Sequence, residues 1–155
     1  MRVETAAAED IRELTDLRLE YLREDFGALD AGTAAAIRER LPDYFRAHLG
    51  RDLFACVIRA DDAIASCAFL LVVEKPMSPA FPNGRTGTVL NVYTRPPFRR
   101  RGYARDVVRA LLAVAEEQAL STVELKATDD GYPLYRSVGF ADNPSKHRPM
   151  KWKPQ

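Results

Sequence analysis

The chain has 155 residues, of which 46% are hydrophobic and 29% charged, with a formal net charge of +1. That size suits one domain, residues 1–155, with a real core. The balanced charge argues against a general nucleic-acid binder, and no apolar run approaches the ~20 residues of a membrane span. Neither nucleic acid nor membrane is therefore an expected partner. The opening Met1-Arg2-Val3-Glu4 carries no apolar leader, so the expected location is cytoplasmic.

Val3 to Thr5 reads as a short first strand. Ala8 to about Arg23 follows a helical period, with Ile11, Leu14, Leu17 or Arg18, Tyr21 and Leu22 recurring on one side. Thr33 is the expected N-cap of a second helix carrying Ile37, Leu41, Tyr44, Phe45 and Leu49 on one face. Pro42 is expected to kink or restart it, and Gly50 to end it. Leu53–Arg59 and Ala63–Val73 read as a hairpin about Asp61-Asp62. In that register Ala60 faces Ala63 and Cys56 faces Cys67, both thiols reduced. Residues 74–87 form a proline- and glycine-rich loop, and Thr86 to Thr94 is an apolar strand.

A helix with the stripe Ala104, Val107, Val108, Leu111, Leu112 and Ala115 then runs from about Arg101 to Ala119. Thr122–Thr128 is another strand, Pro133–Val138 a short helix closed by Gly139, and Met150–Lys153 a final strand. The order β-α-α-β-β-β-α-β-α-β predicts an α+β protein, with helices on both faces of a mixed, mostly antiparallel sheet. The two cysteines and two histidines (His48, His147) form no close metal-ligand pair, so no metal site is expected.

The turn Arg99-Arg100-Arg101-Gly102-Tyr103-Ala104 joins a strand to a helix. A helix N-terminus presents unpaired N–H groups and the positive end of a dipole, which together favour a phosphate. Arg95, Arg99, Arg100, Arg101, Arg105 and Arg109 place six arginines within 15 residues. A solvated basic face is the alternative reading of each one singly. The spacing is neither a Walker loop nor a three-glycine dinucleotide fingerprint.

The stretch Thr94-Arg95-Pro96-Pro97-Phe98-Arg99-Arg100-Arg101-Gly102-Tyr103-Ala104 resembles the signature of the GCN5-related N-acetyltransferase (GNAT) superfamily. Leu134-Tyr135-Arg136-Ser137-Val138-Gly139-Phe140 resembles its later Leu-Tyr and Gly-Phe element, at a family-like separation. The resemblance implies the acyl-CoA N-acyltransferase fold, acetyl-CoA as donor and an amine as acceptor, either a small molecule or a protein or peptide amine. It implies that the amides around Arg100, Arg101, Gly102, Tyr103 and Ala104 hold the pyrophosphate, flanked by Arg99 and Arg105. By the same resemblance the main chain of Val92 and Thr94 pairs with the pantetheine arm, and the Val92 N–H polarises the thioester carbonyl. Thr128 stands where relatives keep a CoA-holding asparagine.

Tyr135 stands where the family keeps a general acid for the departing thiolate. Thr88 occupies the position of a glutamate base found in some relatives, and threonine cannot serve as one, so the base is unassigned. Asp129 and Asp130 read as turn and cap residues. Asn91, polar in an apolar strand, either faces the acceptor or ties the sheet together. The acceptor pocket is expected from Tyr21, Glu24, Asp25, Phe26, Asp30, Asp43, Tyr44 and the loop 74–87, whose acidic groups suit either a cationic amine or a wet surface. A non-catalytic acyl-CoA-binding module is the alternative function. Dimers are common in such families, but nothing in the chain specifies an oligomeric state.

Overall fold

The computed structural model describes residues 2–155; Met1, part of the N-terminal stretch read above, lies outside them. Five strands form one sheet in the order β1 (Val3–Thr5), β2 (Leu53–Ala60), β3 (Ala63–Glu74), β4 (Arg85–Thr94) and β5 (Thr122–Glu124). All neighbours are antiparallel except β4 and β5, which run parallel. The helices are α1 (Ile11–Phe26), α2 (Ala31–His48), α3 (Tyr103–Glu117) and α4 (Tyr132–Ser137). This is the expected mixed, mostly antiparallel sheet with helices on both faces.

Period-2 alternation along the strands divides the core in two. Ala55, Val57, Cys67, Phe69 and Tyr93 meet Leu14 and Leu17 of α1 and Phe45 of α2 on one face. Cys56, Ile58, Ala68, Leu70 and Val89 meet Val107, Val108, Leu111 and Ala115 of α3 on the other. Phe45 and Phe69 lie edge to face, with ring centroids 5.8 Å apart. No helix among the described residues is long and apolar enough to cross a membrane.

The structure corrects four sequence expectations. Asp61 and Asp62 both adopt positive φ, as a two-residue hairpin turn requires, and Ala60 does face Ala63. The register then shifts between Arg59 and Ile58, leaving Ala65 as an extra residue on β3. Cys56 consequently faces Ala68 while Cys67 faces Val57, so the thiols lie on opposite sides of the sheet. A one-residue slip inverts every side chain beyond it.

The cap of α2 is Asp30 rather than Thr33. Its carboxylate accepts from the Thr33 N–H at 2.8 Å and from the Thr33 hydroxyl at 2.7 Å, and α2 runs on through Pro42. β5 stops at Glu124 instead of reaching Thr128. Met150–Lys153 forms no strand; it is exposed, and Pro144, Pro149 and Pro154 deny its surroundings ladder donors.

Candidate active site

A bulge in β4 opens the site. Phe69 faces Leu90 and Cys67 faces Tyr93, so Asn91 and Val92 together oppose Ala68. Asn91 sits at φ 54°, in the left-handed region that Asn tolerates better than most residues. A bulge bends its strand and increases its twist. Accordingly β5 pairs with β4 only from Thr86 to Thr88. The main chain of β4 from Val89 to Thr94, including Val92 and Thr94, is left without a β5 partner among the described residues.

A one-turn helix at Pro96–Phe98 carries the chain from β4 into the arginine turn. Arg100 (φ 65°) and Gly102 (φ 82°) are both left-handed, and Gly102 is the N-cap of α3. The first amide of α3 bonded back into the turn is that of Asp106, to the Gly102 carbonyl at 3.1 Å. The Tyr103, Ala104 and Arg105 amides have no protein acceptor among the described residues, and they border a cleft of about 510 Å³. Thr94, Phe98, Arg99, Arg100 and, from α4, Leu134 line the rest of it.

The six arginines separate. Arg100, Arg101, Arg105 and Arg109 are exposed on the turn and on α3. Arg101 lies against the Phe98 ring, 5.5 Å from its centroid. Arg99 bends across the cleft wall, donating to the Thr94 carbonyl at 2.8 Å and to Glu24 at 2.7 Å. Arg95 points away from the turn. It is half-buried between Glu13 (2.7 Å) and Glu20 (2.9 Å) and donates to the Ile64 carbonyl, so it fastens α1 to the sheet.

Tyr135 leans into the sheet from α4, with its ring edge to face against Phe140 at 6.0 Å. Burial first, then the nearby Tyr21 phenol, push its pKa above the ordinary tyrosine value. Its hydroxyl has no hydrogen-bond partner among the described residues, whereas the Tyr132 hydroxyl donates to Asp142 at 2.8 Å. Thr128 is exposed at the entry to α4, where its hydroxyl accepts from the Gly131 N–H at 3.1 Å and its carbonyl from the Tyr132 N–H at 2.9 Å. It therefore fixes the start of the helix that carries Tyr135.

The Acetyltransferase (GNAT) family model matches residues 11–140. The chain belongs to the GNAT acetyltransferase family. A predicted acetyltransferase from Clostridium acetobutylicum, crystallised with acetyl-CoA, is 25% identical, with 97% of this chain and 95% of that one covered and a TM-score of 0.82. A GCN5-related N-acetyltransferase from Ralstonia eutropha JMP134 is 26% identical over 96% of this chain and 97% of its own, with a TM-score of 0.78. Ycf52 of Porphyra purpurea, an uncharacterised N-acetyltransferase, is 30% identical over 73 residues. That match covers 47% of this chain and 42% of the ycf52 protein, so the chain matches less than half of that relative's length.

On the far side of the bulge this GNAT chain gathers a polar group that the sequence only hinted at. Asn91 is 3% exposed. Its Oδ1 accepts from an Arg18 Nη at 3.2 Å and its Nδ2 donates to the Cys67 sulfur at 3.6 Å. The amide thus ties the bulge to both β3 and α1. The Arg18 guanidinium also lies 5.8 Å from the Tyr21 ring centroid, and Tyr21 meets Tyr93 edge to face at 6.4 Å. The signal for Arg18 was its place on the apolar face of the first helix.

Both thiols are buried, which pushes Cys56 up to about 11 and Cys67 up to about 12. A thiol that stays neutral when folded but ionises when unfolded costs stability as pH rises past the ordinary value of 9.0. The loss per thiol is about 1.4 kcal/mol per pH unit until the folded value is reached. Denaturant unfolding at about pH 8 and about pH 10.5 therefore gives a shallower decline for Cys67→Ala than for the parent, by roughly that slope. Parallel declines would contradict this reading of Cys67.

Proposed function

We propose that this chain is an acetyl-CoA-dependent N-acetyltransferase, passing the acetyl group directly to a primary amine while both substrates are bound. The observation that carries this reading is one cleft bordered by the free amides of α3, by Thr94 at the end of the β4 length that has no β5 partner among the described residues, and by Leu134 of α4, the residue next to Tyr135. When bound, acetyl-CoA supplies an activated thioester and an anionic pyrophosphate.

The backbone amides from Arg100 to Ala104 hold the pyrophosphate, and the guanidinium groups of Arg99, Arg100, Arg101 and Arg105 neutralise it. The main chain of Val92 and Thr94 lines the pantetheine arm as an added strand would, with the Val92 N–H directed at the thioester oxygen. The amine nitrogen bonds to the carbonyl carbon, the carbon–sulfur bond breaks, and Tyr135 gives its phenolic proton to the departing sulfur. Thr128 contributes by accepting from the Gly131 and Tyr132 amides at the entry to α4. The buried thiols favour direct transfer, since neither Cys56 nor Cys67 offers a thiolate near neutral pH. Glu13, Glu20 and Glu24 are held by Arg95 and Arg99, and Thr88 has no basic group, so none of these four is assigned as the base and the amine proton passes to solvent.

Free-thiol release from acetyl-CoA, measured with a panel of primary amines, tests this reading. Release that depends on an amine supports it. Tight acetyl-CoA binding with no release for any amine would favour the non-catalytic binding module instead.

Gly131 gives a second test. A Cβ there would lie 2.9 Å from Tyr135 Cε2 and 3.3 Å from the Thr128 hydroxyl oxygen, while its φ of −82° suits any residue. Gly131→Ala therefore acts by pushing the Tyr135 ring aside. Turnover should fall about tenfold, with acetyl-CoA affinity little changed. Unchanged turnover would show that the ring position is not critical.

A further inference from the structure

Four arginines of this chain are half-buried: Arg18, Arg59, Arg85 and Arg95. Three of them are matched by carboxylates. Arg59 meets Glu4 at 2.6 Å and Asp10 at 2.8 Å, Arg85 meets Glu74 at 3.0 Å, and Arg95 meets Glu13 and Glu20 at 2.7 and 2.9 Å. Arg18 has no carboxylate within 4 Å among the described residues; its one side-chain hydrogen bond is to the Asn91 amide oxygen. A half-buried guanidinium forfeits water and ordinarily regains the loss through charged partners. Its five N–H groups form a planar fork suited to two oxygens of a carboxylate or phosphate, and only one of its nitrogens is engaged here.

The place of this cation is as informative as its lack of a partner. Arg18 bonds to the residue that forms the β4 bulge, immediately before Val92. Tyr21 lies one turn further along α1, its ring beside the guanidinium, and close enough to Tyr135 to affect its ionisation. Tyr44 of α2 and Asp25 also face Arg18, and burial, the largest influence, makes its charged form harder to hold. The remaining acids of α1 nearest the sheet are committed elsewhere, Glu20 to Arg95 and Glu24 to Arg99.

We infer that Arg18 is the anchor for an oxyanion on the acceptor, so that the amine this chain acetylates also carries a carboxylate or a phosphate. The inference rests on the acetyltransferase reading above. The acceptor lies between Arg18, which takes its anionic end, and the Val92–Tyr135 side of the bulge, where its nitrogen reaches the thioester. Asn91 orients the guanidinium and is in turn held by Cys67. Of the acidic residues expected to suit a cationic amine, Glu24 is paired with Arg99, Asp43 with Arg46, and Asp30 caps α2.

The test pairs an anionic amine with a neutral counterpart: glycine against its amide, and phosphoethanolamine against ethanolamine. Thiol release should favour an anionic member, and the carboxylate and phosphate arms identify which oxyanion is used. Arg18→Gln should raise KM for the favoured amine by about tenfold to a hundredfold, leaving the neutral amine and acetyl-CoA within about twofold. Equal use of neutral and anionic amines by the parent would overturn the inference while leaving the acetyltransferase reading intact. Equal losses for both amines in Arg18→Gln would do the same, since that is the mark of a residue that only supports the bulge.

A binding readout covers the case in which no amine is acetylated. The Arg18 side-chain N–H resonance, assigned by its absence in Arg18→Gln, is followed as N-acetylglycine, glycerol phosphate or N-methylacetamide is added to the CoA complex. A saturable shift with an anionic ligand alone supports the anchor. No shift with either anion, or the same shift with all three, overturns it.

Discussion

Tyr135→Phe should lower amine-dependent thiol release by about a hundredfold or more while leaving acetyl-CoA affinity within about twofold. The substitution removes one hydroxyl from a ring that stays packed against Phe140 and the α3 face of the core, so binding and fold are expected to survive. That hydroxyl has no hydrogen-bond partner to lose among the described residues. A coenzyme thiol has a pKa near ~8.5, so it needs only modest help to leave, which places the effect toward the lower end for general acids. Burial favours the protonated form of Tyr135, so the acid is available throughout the neutral range and past the ordinary tyrosine value of 10.0. Turnover by the variant equal to the parent would remove Tyr135 from the chemistry. Parallel loss of affinity and turnover would instead assign it to binding.

Gly102→Val is expected to weaken acetyl-CoA binding about a hundredfold while sparing a short acetyl thioester that lacks the nucleotide. Gly102 holds φ 82°, and a β-branched residue there is strained whatever space surrounds it. No heavy atom lies within 4 Å of a Cβ at this site, so the penalty is conformational and not a clash. Relaxing toward negative φ re-aims the α3 amides away from the cleft. Calorimetric titration with both ligands separates the cases. Equal weakening of the two would mean general damage to the sheet and not loss of a phosphate site.

The elements that place the site were legible because each carries a local physical signal. The apolar stripe of α3, its glycine start and the proline opening of α4 were read from periodicity and turn chemistry alone. The sheet register was harder. Ala60 opposite Ala63 followed from the Asp61-Asp62 turn, but the extra residue at Ala65 is invisible in a run of small and apolar side chains, and it moved Cys67 to the other face. The early end of β5 depends on the β4 bulge, whose only trace in the sequence is Asn91 in an apolar strand.

Ion pairing across the fold was hidden for the same reason. Arg95 looked like one more member of the basic turn, yet it belongs with Glu13 and Glu20, more than seventy residues away in the chain. Arg18 was visible as a cation on an apolar helix face. That its charge lacks a carboxylate partner among the described residues emerges only when the surrounding elements are assembled.

The most direct measurement is mass spectrometry of an amine panel after incubation with acetyl-CoA, read alongside the intact mass of the protein. The account predicts an amine that gains one acetyl group for each thiol released, no acetyl group retained on Cys56 or Cys67, and almost no product from Tyr135→Phe. An acetylated cysteine able to pass its acetyl group on, or acetyl-CoA bound without any amine gaining an acetyl group, would contradict it.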